Sequence, residues 1–435
     1  MILSFFLFTA QALGSQTESA QPALSGRWIL TADYLGTPTY MRLQLEQQGD
    51  KLAGQFGSRK LVGSISGNAI HFTTKDEEGD TEEVSGSIHE GRLSGSVVEV
   101  NAGHAATPVE YRFTAVRTPP RSNLPPERHE FAPTVFYRQF SALNKPVLTV
   151  APGDTIHTTT VDAGGTDAAG AKRAMGGNPQ TGPFYVETAL PGDTLAVHLI
   201  RLRLNRDWAE SDDGMVGRSL RSDLSVRMKD VGKAVRWHLD LEKGVATSER
   251  PGEHLAPYTV PLRPMLGCIA VAPSPSQAAP PTSDSGSWGG NIDFNEIVDG
   301  VTVYLPVRNP GALLYVGDGH AAQGDGELNG NALETSMDVE FSVDVFPGQS
   351  VPGVRVESPT HLMAMGLAGS LDDSFREATD NMAQWLTEAY KLTPSEIAQV
   401  LGTSAEYQVS EVADRNAGIV LKLRKERLQP LTKAR

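Results

Sequence analysis

The sequence predicts a mainly β protein: a β-sandwich or barrel-like core with a few C-terminal helices, preceded by a small antiparallel β-barrel-like domain. Three observations support this fold class. Short segments with alternating apolar residues fill most of the chain, glycine-rich turns separate them, and helical periodicity is confined to the region after residue 370. At 435 residues, the chain is long enough for two or three domains with substantial cores.

Composition limits the classes of partner. The formal net charge is −14 and there is no long basic run, which argues against nucleic acid and anionic membranes as partners. Small-molecule or metal chemistry fits better. The single cysteine, Cys268, excludes an intramolecular disulfide framework and a cysteine-rich zinc site. Because Cys268 lies in the apolar stretch GCIAVA, we interpret it as a buried packing residue instead of a nucleophile.

Residues 1–22 are predicted to be an export signal or an N-terminal tail. An apolar run from Ile2 to Phe8 is followed by Ala10 and Ala12 in the small-x-small pattern that signal peptidase recognises. The run is shorter than the ~20 residues that cross a bilayer, and no other stretch of the sequence supplies such a span. We therefore expect an exported protein, periplasmic or secreted, with no membrane association in its mature form.

Residues 25–117 are predicted to form the small β domain. The phrases LVGSISGNAIHF, VSGSIHEG and LSGSVVEV each alternate apolar and polar residues, with glycine where neighbouring strands crowd. A meander of this length must pair or cover its edges, which predicts a small barrel or sandwich. It contains no convergent catalytic set, so we interpret it as an accessory module. Residues 118–128, TPPRSNLPPER, read as a proline-rich linker.

Residues 129–430 are predicted to form the larger domain, with strands first and helices last. Two Pro-Gly-Asp turns separate alternating strands, and MLGCIAVAP has the composition of a buried strand. Apolar residues at spacings of three or four from Phe375 to Ala389 predict one amphipathic helix. Thr393-Pro394-Ser395-Glu396 is a capping box that begins a second helix, which Gly402 is expected to end.

The segment VGDGHAAQGDGE, residues 316–327, concentrates ligand-type side chains on a glycine-rich backbone. Asp318, His320, Asp325 and Glu327 offer hard oxygens and an imidazole, a mixture suited to Zn, Mn or a related divalent ion. A solvated hairpin loop or a structural calcium loop would give a similar pattern, and the residues alone leave these alternatives open. The segment lacks the spacing of an EF-hand or a phosphate-binding loop, and no nucleophile elbow occurs in the chain.

Several blocks between residues 129 and 424 resemble the acetamidase/formamidase family. In order, they read NPQTGPFYVETALPGDTLAV, GCIAVAP, GGNID, VYLPVRNPGALLYVGDGHAAQGDGE, ALETSMDVEFSV and LTPSEIAQVL. The resemblance implies a mainly β fold, bound metal ions, and hydrolysis of short linear amides such as formamide and acetamide to ammonia and a carboxylate. The chain departs from the family in the stretch FYRQFSALNKPVL, in residues 205–240 and in its N-terminal module. The alternative is a catalytically idle β protein of the same fold that binds a ligand or a partner.

Amide hydrolysis at a metal site needs a nucleophile, a stabiliser of the oxyanion and a proton donor, and we assign these roles as hypotheses. The expected metal ion is Zn, with Ca and Mn as alternatives, and a homo-oligomer is left open. The predicted metal ligands are Asp318, His320, Asp162, Asp293 and Glu334. The predicted catalytic residues are Glu327, Asp325 and His320. The predicted substrate-binding residues are Asn291, Gln323 and Glu187.

Overall fold

The computed structural model describes residues 23–34, 36–104, 107–118, 124–228 and 231–431. The predicted export signal and residues 119–123 of the proline-rich linker lie outside these ranges. The chain divides into two compact units, and the main boundary follows Thr118. Among the helices of the described ranges, none combines the length and apolar character needed to cross a membrane.

The first unit is a closed antiparallel barrel, as predicted. Its last strand pairs with its first, so the sheet has no open edge. Every second residue points inward, and Trp28, Phe56 and Phe72 are among the large side chains that fill the interior. The strands are β1 Gly26–Tyr34, β2 Thr37–Gln48, β3 Lys51–Phe56, β4 Arg59–Ser66, β5 Ala69–Lys75, β6 Thr81–His89, β7 Arg92–Val100 and β8 Val109–Arg117.

The second unit contains the remaining strands and the α-helices. Its strands are β9 Arg128–Phe131, β10 Phe136–Tyr137, β11 Leu148–Val150, β12 Thr155–Thr159, β13 Gln180–Val186, β14 Thr194–Leu204, β15 Trp208–Asp212, β16 Ala234–Asp240, β17 Val245–Ser248, β18 Val260–Pro261, β19 Met265–Val271, β20 Ser285–Gly286, β21 Gly289–Asn291, β22 Thr302–Pro306, β23 Leu314–His320, β24 Glu334–Thr335, β25 Met337–Phe346, β26 Arg355–Glu357, β27 His361–Ala368, β28 Glu406–Val409 and β29 Ala417–Arg424. Its helices are α1 Ser222–Ser225, α2 Leu371–Tyr390, α3 Pro394–Ser404 and α4 Lys425–Leu428.

These strands form two sheets that share one apolar core. The first sheet has the order β28-β29-β27-β26-β22-β14-β25-β12-β9. The second follows β18-β17-β16-β15-β24-β23-β19-β21-β20, with β13 also paired to β23. Leu199 and Phe341 of the first sheet belong to the same buried cluster as Ile269 and Val316 of the second. The predicted fold class, a mainly β core preceded by a barrel, is confirmed.

Helices α2 and α3 follow the sequence pattern with two corrections. Ala378, Met382 and Leu386 of α2 are buried against the first sheet, as expected, but Phe375 is exposed and stacks on Tyr407. The buried face of α2 also takes in polar residues, which bond to nearby backbone atoms. The capping box begins α3 as predicted, but this helix runs past Gly402 to Ser404.

Candidate metal centre

Four adjacent strands of the second sheet bring a group of acidic residues together. Cys268, in the middle of β19, pairs with Asn291 of β21 on one side and with Gly317 of β23 on the other. The residues that follow these partners, Asp293 and Asp318, therefore lie on either side of β19. On the far side of β23, Glu334 of β24 faces His320 in the ladder. The β ladder thus assembles residues that are distant in sequence.

We call Asp293, Asp318, His320, Glu327 and Glu334 the acidic cluster. The Nε2 atom of His320 is 3.2 Å from Glu334 Oε1, 3.4 Å from Asp318 Oδ2 and 3.9 Å from Asp293 Oδ1. Two overlapping sets have ligand atoms within 4.8 Å of one another, and both include His320. The structure thus brings five predicted site residues together, and all five are buried.

Burial and mutual repulsion shift the protonation of this cluster. Burial and the charges of Glu327 and Asp318 raise the pKa of Asp293 well above its usual range. Burial also raises the pKa of Glu334 to about 7, although His320 acts in the opposite direction. For His320, burial lowers the pKa, but the charges of Glu334 and Asp318 outweigh it and raise the pKa. One imidazole cannot balance four buried carboxyl groups, so a cation is needed to ionise them all.

Several polar atoms of the acidic cluster have no hydrogen-bond partner among the described residues. They are Asp293 Oδ1, Asp318 Oδ1, His320 Nε2 and Glu334 Oε2. A buried polar atom without a partner is costly, and such atoms normally bond to protein, water or an ion. Their chemistry, carboxylate oxygens and one imidazole nitrogen, suits Zn or Mn. The cluster can therefore hold a divalent metal ion.

The backbone around the acidic cluster is specialised for this arrangement. Asp293, Asp318 and Glu327 have φ angles of 35°, 60° and 45°, in the left-handed region that non-glycine residues rarely adopt. Gly267 of β19 forms the adjoining wall, where a Cβ atom would lie 2.4 Å from Asp293 Oδ1 and 2.6 Å from Asp318 Oδ2. Strain of this kind persists where the surrounding structure enforces it, and it is concentrated at functional sites.

Gln323 fixes the orientation of His320. The His320 Nδ1 atom is 2.9 Å from Gln323 Oε1, while Gln323 Nε2 donates to the backbone oxygens of Asp293 and Ser410. Since an amide oxygen only accepts, Nδ1 carries the hydrogen and Nε2 is the atom available for a metal. The predicted substrate-binding residue Gln323 therefore has its side-chain amide engaged in positioning the imidazole.

A chain of buried amides ends at the acidic cluster. Gln180 Nε2 donates to Asn178 Oδ1 at 2.8 Å, and Asn178 Nδ2 donates to Asn291 Oδ1. The Asn291 Nδ2 group then donates to Asp293 Oδ2 at 2.6 Å and to Asp414 Oδ2 at 2.8 Å. Asn291, predicted to bind substrate, is thus placed beside the cluster with its amide hydrogens bonded to carboxylates. The chain orients Asp293 and leaves its Oδ1 atom free.

Besides Asn291 and Gln323, three more predicted site residues lie outside the acidic cluster. Asp162 is close by, but its carboxylate pairs with Arg206 at 2.8 Å and accepts from the backbone N–H of Thr166. Asp325 is exposed and accepts from Asn295 and Gln408, so the loop carries it to the surface. Glu187 is exposed in the turn after β13, where its charge raises the pKa of Tyr185 after the larger effect of burial.

Two acidic residues that sequence reasoning missed come from the loop between β28 and β29. Burial raises the pKa of Asp414 to about 6, against the hydrogen bond from Asn291. Glu411 is fully buried, and burial followed by the charge of Asp414 raises its pKa to about 8. The backbone of this loop binds Gly326, next to Glu327, through the N–H of Val412. The only sequence signal was a pair of acids between two apolar strands.

Cys268 is fully buried among apolar and aromatic side chains that include Phe140 and Tyr315. Burial, and then the charges of Asp318 and Asp293, raise the pKa of its thiol well above the usual range. A thiol held in this form is a poor nucleophile.

An open cleft of about 420 Å³ leads to the acidic cluster. Asp318, Glu327 and Glu334 line it together with Asp414. Its other lining residues include members of the loop around residues 162–178, of β15 and of residues 330–331. A small molecule therefore has access to a site where buried carboxylates, an imidazole and a metal ion can act together.

Comparison with known proteins shows that the chain is similar to one family in its fold and in part of its sequence. The model of the acetamidase/formamidase family matches residues 276–351, which include Asp293, Asp318, His320, Glu327 and Glu334. A crystal structure of a predicted acetamidase/formamidase from Thermoanaerobacter tengcongensis has a TM-score of 0.60 and 26% identity, covering 70% of this chain and 98% of that chain. The chain is therefore similar to the acetamidase/formamidase family in fold and in the segment that carries the acidic cluster.

Other proteins with the same kind of name show similar matches. The acetamidase of Bacillus halodurans has the same TM-score of 0.60 and 26% identity, over 70% of this chain and 99% of that chain. The acetamidase of Mycolicibacterium smegmatis is 35% identical over 80 residues, or 18% of this chain and 19% of the relative. The chain thus aligns with less than a fifth of the length of the curated relatives it matches.

Proposed function

We propose that this protein hydrolyses short linear amides, such as formamide and acetamide, to ammonia and a carboxylate at a metal ion held by the acidic cluster. The observation that carries the proposal is the set of unpartnered, buried atoms in the acidic cluster, two of whose residues, Asp318 and Glu334, line an open cleft. Similarity to other proteins supports the same reaction, because the relatives described above are named acetamidases or formamidases.

We propose Zn as the metal ion. One imidazole nitrogen with several carboxylate oxygens is a donor set that Zn and Mn accept, whereas Ca prefers oxygen ligands alone. Both sets of candidate ligands depend on the same nitrogen, His320 Nε2, so we propose a single ion. When bound, such an ion acidifies water toward a pKa of ~7 and polarises a carbonyl group.

The remaining steps need groups that hold and transfer a proton. Glu327 and Asp414 both line the cleft, and burial is the largest cause that raises the pKa of each. A carboxyl group with a raised pKa can take a proton from the attacking water and give it to the departing ammonia. We propose that Glu327 and Asp414 share this work, while Gln323 and Asn291 keep the imidazole and Asp293 in place.

Ammonia release tests the proposal directly. Purified protein is assayed with formamide, acetamide and propionamide, first after chelation and then after addition of Zn, Mn or Ca. We expect activity that is lost on chelation and restored best by Zn. Cys268→Ala, a control for thiol chemistry, is expected to retain activity. If none of the three amides releases ammonia with any metal, the alternative is favoured, in which the protein binds a ligand or partner without catalysis.

We further propose that the protein works outside the cytoplasm. The support is the apolar run and the small-x-small pattern in residues 1–22. N-terminal sequencing of protein recovered from cell fractions tests this. An exported form that begins after Ala12 is expected, and a cytoplasmic form that retains Met1 would contradict it.

A further inference from the structure

A row of side chains crosses the second sheet and links the acidic cluster to the cleft wall. Glu210 of β15 faces Glu334 of β24, and Glu334 faces His320 of β23. Residues directly opposite in antiparallel strands project from the same face, and neighbouring strands lie ~4.8 Å apart. Both Glu210 and Glu334 line the cleft. Glu210 therefore presents a carboxylate about one strand spacing from the proposed metal centre.

The surroundings of Glu210 do not fully neutralise it. Its partner is Arg236, at 3.3 Å, but Arg236 also lies 3.7 Å from Glu249 and stacks on the ring of Trp208. One guanidinium is thus shared between two carboxylates. Like charges directly opposite in a sheet repel each other, and Glu210 faces Glu334 in this way. A further cation at this point of the cleft would relieve the repulsion.

The cleft as a whole is polar and negatively charged. Apart from Ala163, Ala234 and glycines, its lining side chains are polar or charged. Its carboxylates belong to Asp162, Glu210, Asp212, Asp318, Glu327, Glu334 and Asp414, against the single ammonium of Lys172. Arg206 pairs with Asp162, His320 lies beside Glu334, and Arg236 is shared between Glu210 and Glu249. A divalent ion adds only two further positive charges. An alkyl or aryl substituent would find few apolar side chains here and would desolvate charged groups.

We propose that the preferred amide carries a positively charged substituent close to its carbonyl group, and that Glu210 recognises this cation. The inference rests on the proposed function, since it places the amide carbonyl at the acidic cluster. In such an amide, the ammonium nitrogen is bonded to the carbon next to the carbonyl carbon. It then points along the row of side chains that runs from His320 through Glu334 toward Glu210. Glu210 is a specificity residue in this arrangement, and it takes no part in the chemical step.

The test compares two amides of nearly the same size. Glycinamide, at a pH where its amino group is protonated, carries an ammonium where propionamide carries a methyl group. Values of kcat/KM are measured for both in the wild type, in Glu210→Gln and in the matched control Glu249→Gln. Glu249 pairs with the same arginine and is similarly exposed, but it does not line the cleft. Melting temperatures establish that each variant is folded.

We expect the wild type to prefer glycinamide. Glu210→Gln should lower kcat/KM for glycinamide about fivefold, the range of a partly exposed ion pair, and leave propionamide unchanged. Glu249→Gln should change neither value. Comparing each variant with the wild type cancels the intrinsic reactivity of the two amides.

Two results of this comparison would overturn the inference: propionamide used as well as glycinamide, or an equal loss of kcat/KM for both substrates in Glu210→Gln. A third amide, malonamate, carries a carboxylate in place of the ammonium group. A preference of the wild type for malonamate would overturn the inference as well. In each of these cases amide hydrolysis itself survives. If no amide at all releases ammonia, the proposed function fails and this inference fails with it.

Discussion

Buried carboxylates occur in both units of the molecule, and their surroundings differ. In the barrel, Glu82 accepts from Thr74 Oγ1 at 2.7 Å and pairs with Arg59 at 3.2 Å. In the second unit, the acidic cluster holds four carboxyl groups with a single imidazole, and four of its atoms have no hydrogen-bond partner among the described residues. The barrel neutralises its buried charge with its own side chains, whereas the acidic cluster requires a cation from outside the protein.

This difference separates residues that stabilise the fold from residues that serve a reaction. The barrel interior is nearly all apolar, and its energy comes from burial and packing. The acidic cluster costs stability through repulsion, desolvation and left-handed backbone at Asp293, Asp318 and Glu327. We therefore expect substitutions in the barrel to reduce stability without affecting turnover, and substitutions in the cluster to do the reverse.

The largest effect is expected at Asp318. Asp318→Asn removes a ligand charge while keeping the shape of the side chain, and amide turnover should fall on the order of 10³-fold. Unfolding of the metal-free protein should become no easier, because one repelling charge is lost. Asp325→Asn, at an exposed position of the loop that follows β23, is the matched control and should stay within about twofold of wild type. Similar losses in both variants would remove the distinction between cluster and loop.

The barrel should respond in the opposite way. Phe72 is fully buried in the barrel, so Phe72→Ala is expected to lower the free energy of unfolding of this unit by about 3–5 kcal/mol. Val62, 71% exposed on the same sheet, provides the control, and Val62→Ala should change it by less than about 0.5 kcal/mol. Urea unfolding measures both values. Loss of turnover in folded Phe72→Ala would show that the barrel belongs to the catalytic unit and is not an accessory module.

Glu411 should make stability depend on pH. Its folded pKa of about 8 exceeds its ordinary value of 4.5, so the folded state binds the proton more tightly. The stabilisation is complete below pH 4.5 and is lost as pH rises through 8, by on the order of a few kcal/mol. In the metal-loaded protein, Glu411→Gln should make the free energy of unfolding depend less on pH in this range.

Glu406→Gln is the control for this pH dependence. Glu406 is exposed, and its hydrogen bond with Arg424 lowers its pKa. The stability that Glu406 contributes is therefore present above pH 4.5 and is lost only as the pH falls below that value. Denaturant titrations between pH 5 and pH 9 should separate the two variants. An unchanged slope in Glu411→Gln would mean that Glu411 is ionised in the folded protein.

The smallest effect is expected in the amide chain. Asn178→Gly keeps the φ angle of 58° without strain but removes the donor to Asn291, which should weaken metal affinity about tenfold. Isothermal titration with Zn measures this change. Asn329→Gly removes an amide that bonds the backbone oxygen of Asp212 and should leave the affinity unchanged. Equal affinities in wild type and Asn178→Gly would show that the chain does not position the ligands.

Much of the fold could be predicted from local patterns. Period-two alternation predicted the barrel, and the capping box at Thr393 predicted where α3 begins. The corrections have local causes as well. The buried face of α2 includes Ser374 and Asn381, which bond to backbone atoms, and Phe375 therefore lies outside it. Gly402 continues α3 because no left-handed residue closes that helix.

The acidic cluster was partly predictable because β23 and the loop after it carry three of its members, Asp318, His320 and Glu327, on one short segment. Asp293 and Glu334 could be proposed only as acids near strand ends. Asp414 gave no usable signal, because it reaches the cleft through a loop more than 80 residues beyond the glycine-rich segment. Nor could the sequence distinguish Glu327 from Asp325. The two are separated by one residue, and only the backbone geometry turns one inward and the other to the surface.

The central claim is that the acidic cluster is a catalytic metal site, and titration of metal-free protein with Zn tests it most directly. Bound Zn and ammonia release from acetamide are measured on the same samples. Because both ligand sets depend on His320 Nε2, the account predicts that activity rises in proportion to bound Zn and stops rising at one ion per chain. Full activity in the metal-free protein, or activity that does not follow bound Zn, would contradict it.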